Sequence, residues 1–307
     1  MKHYSVLLDE TINNLNIKEN GVYVDATMGY AGHSQKILKE LKDGFLFAFD
    51  ADKTAINYSL EKLSSISDNF QIFHSNFVHM KEILKQNNID KVDGIIFDLG
   101  FSSPQVDEKN RGFSFMQNAT LDMRMNQDSK ISAKDIINNY TKEELTKIFF
   151  TYGEEKMSKV IAQKIITYRQ NKLITDTLEL VEIIKNAVGA SYFYKNHPER
   201  KIFQALRIEV NDELNVLEKV LPDAISLLNK NGRICVITFH SLEDKIVKRI
   251  FKKYSEVDEV VKGLPDIPQN YKPLIKLINK KPILPSDKEI NENSRSKSAK
   301  LRVVERL

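Results

Sequence analysis

The sequence predicts an α/β fold: a Rossmann-like parallel sheet with an inserted helical domain. Three observations predict it. Short β-branched and aromatic runs end in acidic residues at Asp25, Asp50 and Asp98, with helical stretches between them. A small-residue turn, Ala26 to Gly32, joins the first run to a helical segment that starts near His33. After Ser132 the pattern becomes helical and holds no convincing strand until about Gly232. Strands separated by helices build a parallel sheet whose ligand lies at the carboxyl ends of the strands.

The first element is Val22-Tyr23-Val24-Asp25, followed by Ala26-Thr27-Met28-Gly29-Tyr30-Ala31-Gly32. A strand, a glycine turn and a helix bring main-chain N–H groups and a helix N-terminus against a cofactor. The turn lacks G-x-G-x-x-G, so it is a poor dinucleotide fingerprint. It is similar to the D-x-G-x-G-x-G turn of S-adenosylmethionine (SAM)-dependent methyltransferases, with Thr27 and Ala31 where two of the glycines would stand. The second run, Phe45 to Asp50, ends 18 residues after Gly32. An acid about 20 residues beyond such a turn can accept ribose hydroxyls, and the strand-end position favours Asp50 over Asp52. Phe70 to Phe73 is the third run and Phe77 follows it, either stacking on adenine or packing in the core. Gly94 to Asp98 is the fourth.

From Leu99 to Asn126 the sequence is loop-like, and Arg111, Phe113, Phe115 and Arg124 suit the wall of a substrate cleft. Thr141 with Glu144 forms a capping-box pattern and Asp176 with Glu179 a similar one; Pro198 can open a helix. The fifth strand, Gly232 to Phe239, ends at His240. Ser241 and Asp244 are expected to cap a helix from Leu242 to Tyr254, with Lys245, Lys248, Arg249, Lys252 and Lys253 on its polar side. That stripe fits a solvated face or a phosphate-contacting surface. Leu274 to Ile283 and Lys300 to Leu307 read as final strands, and Asn291 to Ser298 as a mobile polar segment. The domain limits are expected at 1–128 with 208–307 for the sheet domain, and 129–207 for the helical, substrate-recognition domain.

Composition narrows the class. The 307 residues are 41% hydrophobic and 29% charged, with a net charge of +4. There is no run of about 20 apolar residues to span a bilayer. The single cysteine, Cys235, lies within an apolar run, and no Cys/His spacing indicates zinc, so no metal is expected. A reducing cytoplasm is the expected location.

With these residues assembled, the chain resembles the bacterial 16S ribosomal RNA cytosine-N4-methyltransferases. The matching stretches span nearly its whole length: Lys2-His3 with Val6-Leu7-Leu8, the turn from Asp25 to Ser34, Asp98-Leu99-Gly100-Phe101-Ser102-Ser103-Pro104-Gln105, Arg111 to Phe115, Leu121 to Met125, Tyr152 to Glu155, Phe203 to Ile208, Phe239 to Asp244 and Lys300-Leu301-Arg302. The resemblance implies SAM as cofactor, held by Ala31, Gly32, His33, Asp50, Phe77, Asp98 and Gln105. It implies methylation of the N4 amine of a cytosine in the decoding region of 16S rRNA, within the small ribosomal subunit. Asp98, the main chain around Ser103, and His240 are the candidate catalytic groups. A homodimer is among the assemblies open to such a chain. Three departures stand out: Ala31 for a glycine, Ala119-Thr120 for a Gly-Pro pair, and Ser294 and Lys297 for Pro and Arg. The rival classes are a SAM-dependent amino-methyltransferase acting on another nucleic acid or a small molecule, and a non-catalytic ribosome-assembly factor.

Overall fold

The computed structural model describes residues 5–261, 263 and 265–307, with the main chain only at Ser103, Lys109, Glu259 and Asn270. The Lys2-His3 pair lies outside the described residues. The chain divides into two compact units: Met1–Gly100 with Leu214–Leu307, and Phe101–Glu213.

The first unit is built on a seven-stranded sheet. Its first part runs α1 (Leu8–Leu15), β1 (Val22–Asp25), α2 (Gly32–Glu40), β2 (Phe45–Asp50), α3 (Lys53–Ser64), β3 (Phe70–His74), α4 (Met80–Gln86) and β4 (Val92–Asp98). The helical unit follows with α5 (Ser103–Asp107), α6 (Ala133–Asn139), α7 (Lys142–Thr151), α8 (Ser158–Arg169), α9 (Thr177–Val188), α10 (Ala190–Asn196) and α11 (Pro198–Asn211). The chain then completes the sheet with α12 (Glu213–Leu227), β5 (Leu228–Thr238), α13 (Ser241–Ser255), β6 (Ile275–Leu277), α14 (Asp287–Glu292) and β7 (Lys300–Arg306).

The strand order is β3-β2-β1-β4-β5-β7-β6. Strands β1 to β5 are parallel, and β7 runs antiparallel to both β5 and β6. The order reverses between β1 and β4, and such a switch point opens a crevice at the carboxyl ends of the strands. Alternation in the strands explains why both faces are covered. Val24, Phe47, Phe49, Ile95 and Phe97 pack on one side with Leu217, Leu221 and Phe251. Tyr23, Leu46, Ala48 and Ile96 pack on the other with Leu15, Ile37 and Leu63. Cys235 is fully buried in this second cluster, where burial pushes its thiol up to about 12.

The helical unit has its own core, including Leu121, Met123, Ile136, Leu145, Phe149, Ile161, Ile184 and Phe203. Its limits differ from those expected at 128/129 and 207/208. The stretch 101–128 belongs with the helices because main-chain bonds sew it there. Leu121 N–H donates to Thr175 O at 2.9 Å, Thr177 N–H to Ala119 O at 2.9 Å, and the Asn211 amide bonds Met123 O and Met125 N–H, both at 2.8 Å.

Several local expectations change. Thr141 and Glu144 do form a capping box, and Pro198 does open α11. Asp176 makes no side-chain cap; Glu179 instead accepts from Thr175 N–H at 3.1 Å. Helix α13 starts one residue earlier than expected, with His240 at its N-cap. Asp244 is not a cap, because Arg302 draws its carboxylate into two bonds of 2.6 and 3.1 Å. The segment expected to be mobile forms the end of α14 and a 3₁₀ turn, Ser294–Ser298. There Asn293 accepts from Arg295 N–H, and Ser296 is fully buried.

Candidate active site

The carboxyl edge of the sheet collects the acids that end β1, β2 and β4. Asp25 is buried; Ser34 Oγ donates to it at 2.6 Å and Thr27 N–H at 3.2 Å. These bonds tie the end of β1 to the first turn of α2. Thr27 stands where a glycine was expected, and its hydroxyl has a function of its own: it accepts from Asp98 N–H at 2.6 Å, stapling the end of β4 to the turn.

The turn needs left-handed backbone at two places. Gly29 has φ +51°, and Ala31 has φ +62° at the N-cap of α2. Position 31 is therefore a natural glycine position. The alanine here holds a conformation that costs an L-residue about 1–2 kcal/mol, with its methyl group fully buried. At Gly32 an added Cβ would meet Ser5 Oγ at 1.6 Å and Ser5 Cβ at 2.9 Å, so any larger residue would have to displace the Ser5 side chain.

Asp50 receives Gly29 N–H at 2.7 Å and Asp52 N–H at 2.8 Å, one on each oxygen. Each oxygen keeps a second lone pair. Asp52 caps α3 by accepting from Thr54 N–H at 2.9 Å, which separates the roles of the two neighbouring acids. His33 is buried, its Nδ1 3.7 Å from Asp98 Oδ2. Phe77 is half-buried and meets Phe97 edge-on at 5.6 Å, so core packing accounts for part of its surface.

The electrostatics of this edge are unusual. Burial pushes Asp25 up to about 6, against the hydrogen bonds of Ser34 and Thr27. Burial pushes Asp50 up to about 7, against its two N–H donors and with the charges of Asp52 and Asp25 adding to the rise. Asp98 is raised well above the usual carboxylate range, first by burial and then by the charges of Asp25, Glu243 and Glu289. Its Oδ1 is buried without a hydrogen-bond partner among the described residues.

His240 follows β5 at the same edge. Glu243, buried on the first turn of α13, accepts from Phe239 N–H at 2.7 Å and His240 N–H at 3.2 Å, and its other oxygen lies 3.1 Å from His240 Nε2. Sequence reasoning missed the local role of Glu243, although the three-residue spacing from N-cap to N3 was its signal.

Ala31, Gly32, His33, Asp50, Phe77, Asp98 and His240 thus all belong to the sheet unit. Gln105 and Ser103 belong to the helical unit, where Gln105 Oε1 accepts from Ser102 N–H at 2.9 Å in a capping box. The side chain of Ser103 lies outside the described residues. Arg111, expected on a cleft wall, is buried and donates to Arg124 O and Met125 O; Arg124 is held by Asp122 at 2.6 and 2.9 Å. Bonds within the unit occupy both guanidinium groups, Arg111 in its interior and Arg124 nearer its surface.

A doubly wound sheet, a glycine turn opening a helix, and an acid at the end of the neighbouring strand define a class I type of cofactor-binding fold. All of the chain, residues 1–307, matches the MraW methylase family. The chain is 50% identical over 307 residues to the ribosomal RNA small subunit methyltransferase H of Exiguobacterium sibiricum, covering 100% of this chain and 98% of that one. Among solved structures it is similar to an rRNA methylase from Streptococcus thermophilus (13% identity, TM-score 0.40, 97% and 93% of the two chains). It is also similar to TrmN from Thermus thermophilus (10% identity, TM-score 0.44, 98% and 48%). On the whole-length match and the 50% identity, the chain belongs to the MraW methylase family and is a methyltransferase.

Proposed function

We propose that the protein methylates the N4 amine of a cytosine in the decoding region of 16S rRNA, with SAM as the methyl donor. The name of its half-identical relative supports a small-subunit rRNA substrate. The observation that carries the chemistry is the Asp98 carboxylate, with one oxygen buried and unpartnered among the described residues.

The residues at the sheet edge fit SAM. Asp25, which is buried, and Asp50 and Asp98, which are partly exposed, form a negative cluster suited to a cation, since each is more easily ionised beside a positive charge. Asp50 would hold the ribose hydroxyls with its remaining lone pairs. The main chain of Ala31, Gly32 and His33 would face the methionine part and Phe77 the adenine, with Asp98 and Gln105 as further contacts. When bound, SAM supplies a methyl carbon on a sulfonium, a strong electrophile with a neutral leaving group.

The cytosine amine is conjugated with its ring and is a weak nucleophile. Asp98 would accept one amine hydrogen, help localise the nitrogen lone pair, and take the proton that must leave when the new N–C bond forms. Its raised affinity for protons makes it a stronger base than an exposed aspartate. Main-chain carbonyls around Ser103 would take the second amine hydrogen, and His240, oriented by Glu243, would face the base. Positioning of the amine supplies much of the rate, and the target base must be unpaired to be reached. The helical unit is assigned to substrate recognition. No described helix is long and apolar enough to cross a membrane, in keeping with work on ribosomal subunits in the cytoplasm.

The test is incubation with methyl-tritiated SAM and small subunits from cells lacking this enzyme, followed by digestion to nucleosides. Label in N4-methylcytidine is expected. Label in another nucleoside, or none despite measured SAM binding, would overturn the assignment.

A further inference from the structure

Phe101 opens the helical unit and keeps 40% of its surface exposed. Tyr194 of that unit also lies under a cation, Lys185 at 5.5 Å, but the cation over Phe101 is itself locked by a carboxylate. The Arg207 guanidinium carbon lies 4.7 Å from the centre of its ring. Glu213 locks that guanidinium with two bonds, Nε at 2.8 Å and Nη2 at 2.9 Å, and both partners are largely buried. Phe113, buried, adds a second ring tilted by 31° with its centre 5.9 Å away.

The chemistry of this cluster selects its ligand. The Arg207 charge is already neutralised by a bidentate carboxylate, so a phosphate would compete against a formed ion pair. What the cluster offers is a rigid, partly exposed aromatic plane, backed by a planar guanidinium that pays little entropy to stay in place. Unpaired nucleobases stack on such planes regardless of sequence. A side chain serving only the core would be covered, as Phe113 is.

We propose that Phe101, held by Arg207 and Glu213, is a stacking site for an unpaired base of the RNA substrate. This rests on the proposed RNA methylation, and the test separates the two. The chain contains no tryptophan, so Phe101→Trp introduces a single reporter at the site. A single-stranded RNA fragment spanning the target cytosine is expected to quench its emission, with a midpoint near the KM for that RNA, while a fully paired duplex does not. In steady-state assays Phe101→Leu, which keeps apolar bulk but loses the π face, is expected to lower kcat/KM for RNA about tenfold or more. SAM affinity and melting temperature stay at wild-type values, and Phe101→Tyr stays within about threefold. Unchanged emission at RNA concentrations that saturate turnover, or a Leu variant with wild-type kcat/KM, overturns the stacking site. A wild-type enzyme that methylates no RNA overturns the proposed function instead. If the Leu variant melts early, the Trp emission and the Tyr variant decide.

Discussion

The helical unit and the carboxyl edge of the sheet treat their carboxylates in opposite ways. In the helical unit, burial acts to raise Glu155, which is fully buried, but its partners win and the group is lowered. Tyr192 donates to it at 2.6 Å, Met157 N–H at 2.8 Å, and Lys201 lies at 3.1 Å. Glu179 follows the same pattern with Lys172, Thr175 and Tyr168. At the sheet edge, Asp25 and Asp50 also accept two hydrogen bonds each, yet burial wins and both are raised. The difference is the cation. Glu155 and Glu179 each have a lysine, while the strand-end acids have one another and, at Asp98, only the imidazole of His33 at 3.7 Å. Charge satisfied from within holds a fold together, and charge left uncompensated beside a crevice marks where a ligand cation belongs.

The largest effect expected from this contrast is on the helical side. Glu155→Ala strands the Tyr192 hydroxyl, the Met157 N–H and a lysine, and should lower stability by about 3 kcal/mol, as when a buried pair loses one partner. Chemical denaturation measures the loss, and SAM affinity should not follow it. A variant as stable as wild type would break the comparison. On the sheet side, Asp98→Asn should leave stability nearly intact, weaken SAM binding, and lower kcat at saturating SAM about a hundredfold, within the usual range for a lost general base. Full turnover by this variant would remove Asp98 from the chemistry.

A smaller effect is on pH dependence. Asp25 and Asp50 have folded values of about 6 and about 7 against a reference of 3.8, so the native chain holds more protons than the unfolded one between these limits. Stability must then fall as pH rises from 6 to 8, by an amount on the order of 2 kcal/mol. Denaturation of the free protein at both pH values gives the answer; a rise would contradict the sign. The smallest effect is at Ala31. Glycine there would relieve about 1–2 kcal/mol of left-handed strain, but would lose a buried methyl worth about 0.8 kcal/mol and add unfolded-state entropy worth about 0.4–1 kcal/mol. Ala31→Gly should therefore change stability by less than about 1 kcal/mol, and a larger shift would show that the turn is held differently.

Most of the sheet was legible because strands that end in acids alternate with helices, and period-2 burial needs only local sequence. Strand position alone favoured Asp50 over Asp52, while the role Asp52 takes in the structure, capping α3, was not read from the sequence. Long-range partners were less legible. Nothing local in the stretch 101–128 announces that Asn211 holds it, nor that Arg111 and Arg124 serve internal bonds. The role of Thr27 was hidden for the same reason: its partner, Asp98 N–H, is 71 residues away. Asn291 to Ser298 was misjudged from polarity, because Asn and Ser side chains can order a turn through their own main chain.

The central claim is that the strand-end acids are held uncompensated for a cationic cofactor. Carbon-13 NMR titration of their carboxyl groups, assigned with single Asp→Asn variants, tests it most directly. The account predicts titration near 7 for Asp50 and near 6 for Asp25 in the free protein, Asp98 well above the usual carboxylate range, and a downward shift of all three when SAM binds. Values near 4 in the free protein, or no shift on SAM binding, would contradict it.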